Sequence, residues 1–190
     1  TRLQGDWSSD VCSSDLLLTL SDHGGRVRPI GCPELQSKQR FGYGRFEARM
    51  RTAAGSGLNT AFFTYIGPPL GVKEHDEIDF EFLGKDPTTV ELSHWANGVR
   101  IAPYVHKLGF DASKGFHTYA FEWTRSYIKW FVDGKQVYAT AVDAKIPRND
   151  AKLFFSLWSG TQIENAWMGP FTYNGPVTAE VAWVKYTPLP

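Results

Sequence analysis

Glu77, Asp79 and Glu81 occupy alternate positions in the stretch DEIDFEF, interleaved with Ile78, Phe80 and Phe82. Side chains alternate across an extended strand, so this spacing places three carboxylates on one face and three bulky apolar groups on the other. A pair of carboxyls suits cleavage of a glycosidic bond: one attacks the anomeric carbon or activates water, and the other, kept protonated, donates to the leaving oxygen. Glu77 and Glu81 would supply that pair. Their Cα atoms would lie about 13 Å apart at roughly 3.3 Å per residue, so the two side chains must lean together over a concave face. Carboxyls about 5 to 5.5 Å apart give retention and wider ones leave room for the water of inversion; the spacing allows both. Asp79 between them crowds three acids, which raises the pKa of at least one and suits a general acid at neutral pH. It is expected to orient the nucleophile. Taken alone, the pattern equally describes the solvated face of an edge strand.

The elements that would hold these residues read as strands. Phe46, Ala48 and Met50 alternate with Arg45, Glu47, Arg49 and Arg51, the pattern of a strand with one buried and one wet face. Further strands are expected at 59–66, 90–95, 117–123, 127–132, 136–140, 152–158 and 178–186, with Asp133-Gly134 as a tight hairpin turn. The Gly-, Asn- and Trp-containing stretch 159–175 reads as a long loop, and no amphipathic helix is expected. The spacing is that of an all-β sandwich.

The 190 residues fit one domain, and 20 Lys plus Arg against 20 Asp plus Glu imply no basic face for nucleic acid. Seven Trp and eight Tyr suit a surface that stacks on a neutral polymer such as a polysaccharide. No apolar run approaches the roughly 18 residues of a membrane helix, so no membrane partner is expected. His94, His106 and His117 show no metal-ligand spacing and read as structural histidines. Cys12 and Cys32 allow one disulfide in an exported protein and are equally compatible with free thiols. Gly5 to Leu16, reading GDWSSDVCSSDL, resemble a translated sequencing adapter. Residues 1–16 are therefore expected to be non-native and residues 17–190 to form the domain.

The stretch EHDEIDFEFLG (Glu74 to Gly84) resembles the active-site strand of glycoside hydrolase family 16. QRFGYGRFEARM, GLNTAFFTYIGP, GFDASKGFHTYAFEW and IKWFVDG match the same family, so the resemblance covers nearly everything after Leu17. It implies a jelly-roll β-sandwich of two curved antiparallel sheets with a glycan-binding cleft. It also implies Glu77 as nucleophile, Asp79 as helper and Glu81 as acid/base of a retaining endo-β-1,3-1,4-glucanase. With no residue inserted between Asp79 and Glu81, the strand is similar to the lichenase and xyloglucan-enzyme branch. Glu34, Phe63, Trp158 and Trp167 match positions that line the glycan cleft. His75, Ser93 and Trp95 stand where lichenases carry Trp, Asn and Tyr and are expected to touch substrate, with Gln36 in place of an Arg. The loop 99–107 also departs from lichenase wording, and GLNTAFFTYIGP with WMGPF is similar to glycanases that cut succinoglycan-type exopolysaccharides. Calcium, held in many relatives by an Asp in the last strand, is not expected, because Ala182 occupies that position. No cofactor is expected. A monomer acting on an extracellular β-glucan, hence secreted, fits these features. A xyloglucan-type transglycosylase and a non-catalytic sugar-binding sandwich are the alternatives; the presence of all three acids argues against the second.

Overall fold

A computed structural model describes residues 16–23, 30–70 and 73–189; the adapter-like segment up to residue 15, with Cys12, lies outside them. Twelve strands are formed among the described residues. They are β1 (Leu16–Leu20), β2 (Glu34–Gln36), β3 (Gly44–Arg51), β4 (Leu58–Ile66), β5 (Asp76–Leu83) and β6 (Thr89–Ala96). There follow β7 (Val99–Lys107), β8 (His117–Trp123), β9 (Ile128–Val132), β10 (Lys135–Ala139), β11 (Lys152–Ser159) and β12 (Val177–Pro188). They make two six-stranded sheets, in the orders β1-β12-β3-β8-β9-β10 and β2-β11-β4-β5-β6-β7, with antiparallel pairing throughout. The fold is the expected jelly-roll sandwich.

The inner faces meet in an aromatic core. Phe46, Ala48 and Met50 of β3 are fully buried, as their alternation required. Ile78, Phe80 and Phe82 of β5 face them across the sandwich and are equally buried, so β5 is anchored by three apolar side chains. A slip of one residue in its register would drive the three carboxyls into this core. The indole of Trp130 on β9 donates to the carbonyl of Asp79 (3.1 Å), tying the two sheets together at the middle of β5. Asp76, at the start of β5, accepts from the backbone amides of Asn97, Arg148 and Asn149 and from the Asn149 side chain. Burial alone would raise the Asp76 pKa, and these hydrogen bonds outweigh it and pull the pKa down.

Two expectations need correction. Residues 99–107, read as a loop, form edge strand β7, paired with β6 through an Asn97-Gly98 turn whose φ angles are 52° and 77°. Pro103 hides the strand in the sequence, because proline is tolerated in sheets at edges and bulges, and the register of this pair shifts between Leu92 and His94. The Asp133-Gly134 turn has the same signature, as expected (φ 47° and 78°). The stretch 159–175 holds a turn of 3-10 helix, Gln162–Glu164, and a four-residue helix α1 (Asn165–Met168). Thr161 caps that turn in a reciprocal arrangement with Glu164. β1 begins at Leu16, which pairs with Val181.

Candidate active site

β5 lies between β4 and β6, so its acids do not belong to an edge strand. Directly paired residues share a face, and the register therefore lays out the site in rows. One row runs Tyr65, Glu77, Trp95, Arg100; the next Phe63, Asp79, Ser93; the third Ala61, Glu81, Glu91. β11 and β2 extend the rows with Phe154 and Gln36, and with Ser156 and Glu34. A depression of about 330 Å³ opens on this face, lined by Cys32, Glu34, Phe63, Glu77, Asp79, Glu81, Ser156 and Trp158 among others. A larger hollow of about 720 Å³ on the rim involves Asp76, Arg125, Lys145 and Arg148, but both oxygens of Asp76 are already engaged there.

The three carboxyls are held differently. Glu77 is gripped by His75, whose Nε2 lies 2.5 Å from Glu77 Oε2. Burial lowers the His75 pKa, so the ring is neutral at pH 7 and its Nε2 carries the proton that the carboxylate accepts. Asp79 is buried, accepts from Ser93 Oγ (2.8 Å) and hydrogen-bonds to Glu77. Glu81 accepts from Asn59 Nδ2 at 3.1 Å, and Arg100 Nη2 stands 3.8 Å from its other oxygen.

These surroundings separate the proton affinities. Burial pushes Glu77 up to about 7, with the Asp79 hydrogen bond and the Arg100 charge pulling down and Glu81 pushing up. Asp79 is raised well above the usual carboxylate range, first by burial and then by the charge of Glu77. It is therefore the neutral partner that donates an O–H to Glu77. Glu81 is pushed up to about 8 by burial, then by Asp79 and Glu91, against the hydrogen bond from Asn59 and the Arg100 cation. Glu77 holds its proton less tightly than Glu81, so as pH rises it ionises first while Glu81 still carries a proton, the order that acid-assisted nucleophilic displacement needs.

Glu34, Phe63 and Trp158 line the depression. Trp158 packs against Trp167 (centroids 6.0 Å apart), and the Trp167 indole donates to Glu91 at 3.0 Å. Trp95 stacks on His75 (4.5 Å, 20°) with the Arg100 guanidinium 6.0 Å from its own ring. Two residues expected to meet substrate are engaged otherwise: Ser93 is buried and gives its hydroxyl to Asp79, and His75 is bonded to Glu77. Asn59, Glu91 and Arg100 were not singled out from sequence. The Asn97-Gly98 hairpin signal would have revealed β7, and with it Arg100 opposite Trp95.

His94 Nε2 donates to the Lys145 carbonyl (2.8 Å), and His117 pairs with Asp133, structural uses for both. Ala182 has no side-chain oxygen for calcium. Among the described residues no group of three His, Cys, Asp or Glu is placed to hold a metal ion.

Comparison with known proteins agrees with this geometry. The pattern of Glycosyl hydrolases family 16 matches residues 4–185. The chain is 47% identical to a beta-glucanase of Paenibacillus macerans over 92% of its length and 72% of the relative's. It is 43% identical to the endo-1,3-1,4-beta-glycanase ExoK of Rhizobium meliloti, covering 90% of this chain and 63% of that one. Among solved structures, a beta-1,3-1,4-glucanase (lichenase) from a mouse hindgut metagenome superposes with a TM-score of 0.86 at 39% identity, covering 92% of this chain and 80% of the other. An all-β sandwich with three carboxyls on one central strand, matched along almost its whole length, places this chain in family 16 of the glycoside hydrolases.

Proposed function

We propose that the chain is a retaining endo-β-1,3-1,4-glucanase, with Glu77 as nucleophile, Asp79 as helper and Glu81 as acid/base. The observation that carries this reading is the separation of roles along β5: Glu77 receives hydrogen bonds that favour its anion, whereas Glu81 sits among acids and in a buried setting that favour its neutral form. In the first step a Glu77 oxygen bonds to the anomeric carbon as the glycosidic C–O bond breaks, and the Glu81 proton passes to the leaving oxygen. In the second, Glu81, now a carboxylate, takes a proton from water; that water's oxygen displaces Glu77 and restores both carboxyls. The proton on Asp79 holds Glu77 in line and stabilises it as a leaving group. Carboxyls and water suffice for both steps, so we assign no cofactor to the reaction.

A neutral glucan fits the site. Phe63, Trp158 and Trp167 offer flat apolar faces to sugar rings, and Glu34 offers a polar contact at the same wall. The relatives named beta-glucanase and lichenase support mixed-linkage β-glucan as the polymer, and a polymer of that size implies action outside the cell. A second reading keeps the mechanism and changes the polymer to an exopolysaccharide of the succinoglycan type. It is favoured by the nucleophile's side of the cleft, where His75, Trp95 and Arg100 build a wall different from the one expected of a lichenase.

Reducing-sugar release from barley-type mixed-linkage glucan, laminarin, xyloglucan and succinoglycan, by wild type and Glu77→Gln, tests the reading. Activity on mixed-linkage glucan that the substitution abolishes, with the β-anomer as first product by NMR, is expected. An α-anomer as first product would refute retention, activity confined to succinoglycan would select the second reading, and binding without turnover would refute the enzyme.

A further inference from the structure

Asn59 is fully buried on β4, and its side chain makes one hydrogen bond among the described residues, from Nδ2 to Oε1 of Glu81. Its Oδ1 is buried with no partner among those residues. A buried carboxamide normally satisfies both ends, and a fold that leaves the oxygen unmatched gives up stability to keep the nitrogen where it is. The register explains how it reaches Glu81. The residue directly opposite Glu81 on β4 is Ala61, whose small side chain leaves the diagonal open to Asn59, itself paired with Leu83. From the other side, Arg100 on β7 leans over to within 3.8 Å of Oε2, too far for a hydrogen bond but close enough to act as a charge.

Resting on the assignment of Glu81 as acid/base, we propose that Asn59 and Arg100 are its positioning residues, Asn59 fixing the transferable proton on Oε2 and Arg100 assisting its departure. The carbonyl oxygen of a neutral carboxylic acid is a better acceptor than its hydroxyl oxygen. An N–H aimed at Oε1 therefore makes Oε1 the carbonyl and leaves the proton on Oε2. Arg100 does not occupy Oε2 by hydrogen bonding, so that oxygen can present its proton to the glycosidic oxygen. As the proton leaves, negative charge develops on Glu81, and the Asn59 N–H and the Arg100 guanidinium are already oriented to stabilise it. The other acidic groups facing Glu81 oppose that charge: Glu77 and, whenever it ionises, Asp79 from its own strand, Glu91 from β6 and, farther along the wall, Glu34 from β2. Asn59 and Arg100 are the counterweight.

A change of leaving group tests this, because acid catalysis is needed for a sugar leaving group and dispensable for dinitrophenolate. kcat/KM, which reports the first chemical step, is measured on mixed-linkage glucan and on a 2,4-dinitrophenyl β-oligoglucoside for wild type, Asn59→Leu, Arg100→Gln and Glu81→Gln. Asn59→Leu is expected to lose about 10- to 100-fold on glucan, the loss of one hydrogen bond to a developing charge, and to stay within about threefold on the aryl substrate. Retained aryl activity reports an intact fold and nucleophile. Arg100→Gln, at a half-exposed position, is expected to move the basic limb of the glucan profile to higher pH, since removing a cation makes Glu81 hold its proton longer. Equal losses on both substrates in Asn59→Leu, or none on glucan, would overturn the role of Asn59, and an unmoved basic limb would overturn that of Arg100. Glu81→Gln must show the same split more strongly; if it loses both substrates alike, the acid/base assignment itself fails.

Discussion

Replacing Glu81 by Gln is expected to stabilise the protein in alkali and leave its stability unchanged in acid. The Glu81 carboxyl has its pKa moved from 4.5 in the unfolded chain to about 8 in the fold, chiefly by burial. A raised folded pKa means that the native state holds the proton more tightly. Its contribution is fully present below pH 4.5, declines as the unfolded chain ionises first, and is lost by about pH 8. At 1.36 kcal/mol for each power of ten, the ceiling is about 5 kcal/mol, and water at the cleft mouth reduces the expected recovery to about 2 kcal/mol. Gln keeps an oxygen for Asn59 Nδ2 and has nothing to ionise. For a chain of this size that corresponds to a rise in Tm of about 4 to 8 °C at pH 9, with no rise at pH 4. Calorimetric scans of wild type and variant at both pH values measure it. A rise of equal size at both, or a fall at pH 9, would show that burial of an ionisable group at Glu81 does not oppose folding.

Four further outcomes are expected. kcat/KM on glucan should follow a narrow bell, its acid limb set by Glu77 near 7 and its basic limb by Glu81 near 8; a flat profile from pH 5 to 9 would contradict the assignment. Gly57 has φ 75°, and a Cβ there would fall 2.4 Å from Cβ of Phe171, so Gly57→Ala should lose about 2 kcal/mol. Because Gly57 bonds through its backbone to Met168 and Gly160, the same variant should displace the loop bearing Trp167 and raise KM more than it lowers kcat. Tyr119→Phe should leave Tm unchanged or raise it, since the hydroxyl is buried without a partner among the described residues and its removal relieves about 1 kcal/mol. Asp76→Ala strands three backbone amides and should cost about 3 kcal/mol at pH 7. The Asp76 pKa is depressed in the fold, so its stabilisation is present above the unfolded pKa and lost as pH falls; the variant's deficit should shrink in acid denaturation curves.

Much of the fold was legible because alternation is a strong signal wherever a strand has one buried face. β3, β4, β5 and β8 were located to within a residue or two, β3, β5 and β8 by alternation and β4 as a run richer in apolar residues. β2 escaped because three residues are too few to show a period, and β7 because an edge strand with a proline has little apolar face to show. The capped turn after Thr161 was hidden by its length: one turn of helix carries no amphipathic stripe.

The candidate site divides along the same line. The carboxyls of Glu77, Asp79 and Glu81 share a face because the period of a strand is two, a property of the backbone alone, so the sequence determined which side chains would meet a substrate together. Which of them is ionised depends on partners brought from elsewhere: His75 at Glu77, Ser93 on β6 at Asp79, Asn59 on β4 and Arg100 on β7 at Glu81. Those partners stand as many as 22 residues away in sequence and come within hydrogen-bonding or ion-pairing distance only through strand register. Proton affinity responds to burial and to charges a few ångströms away. For that reason strand register and burial, and not the period of β5, set the order in which the three carboxyls give up their protons.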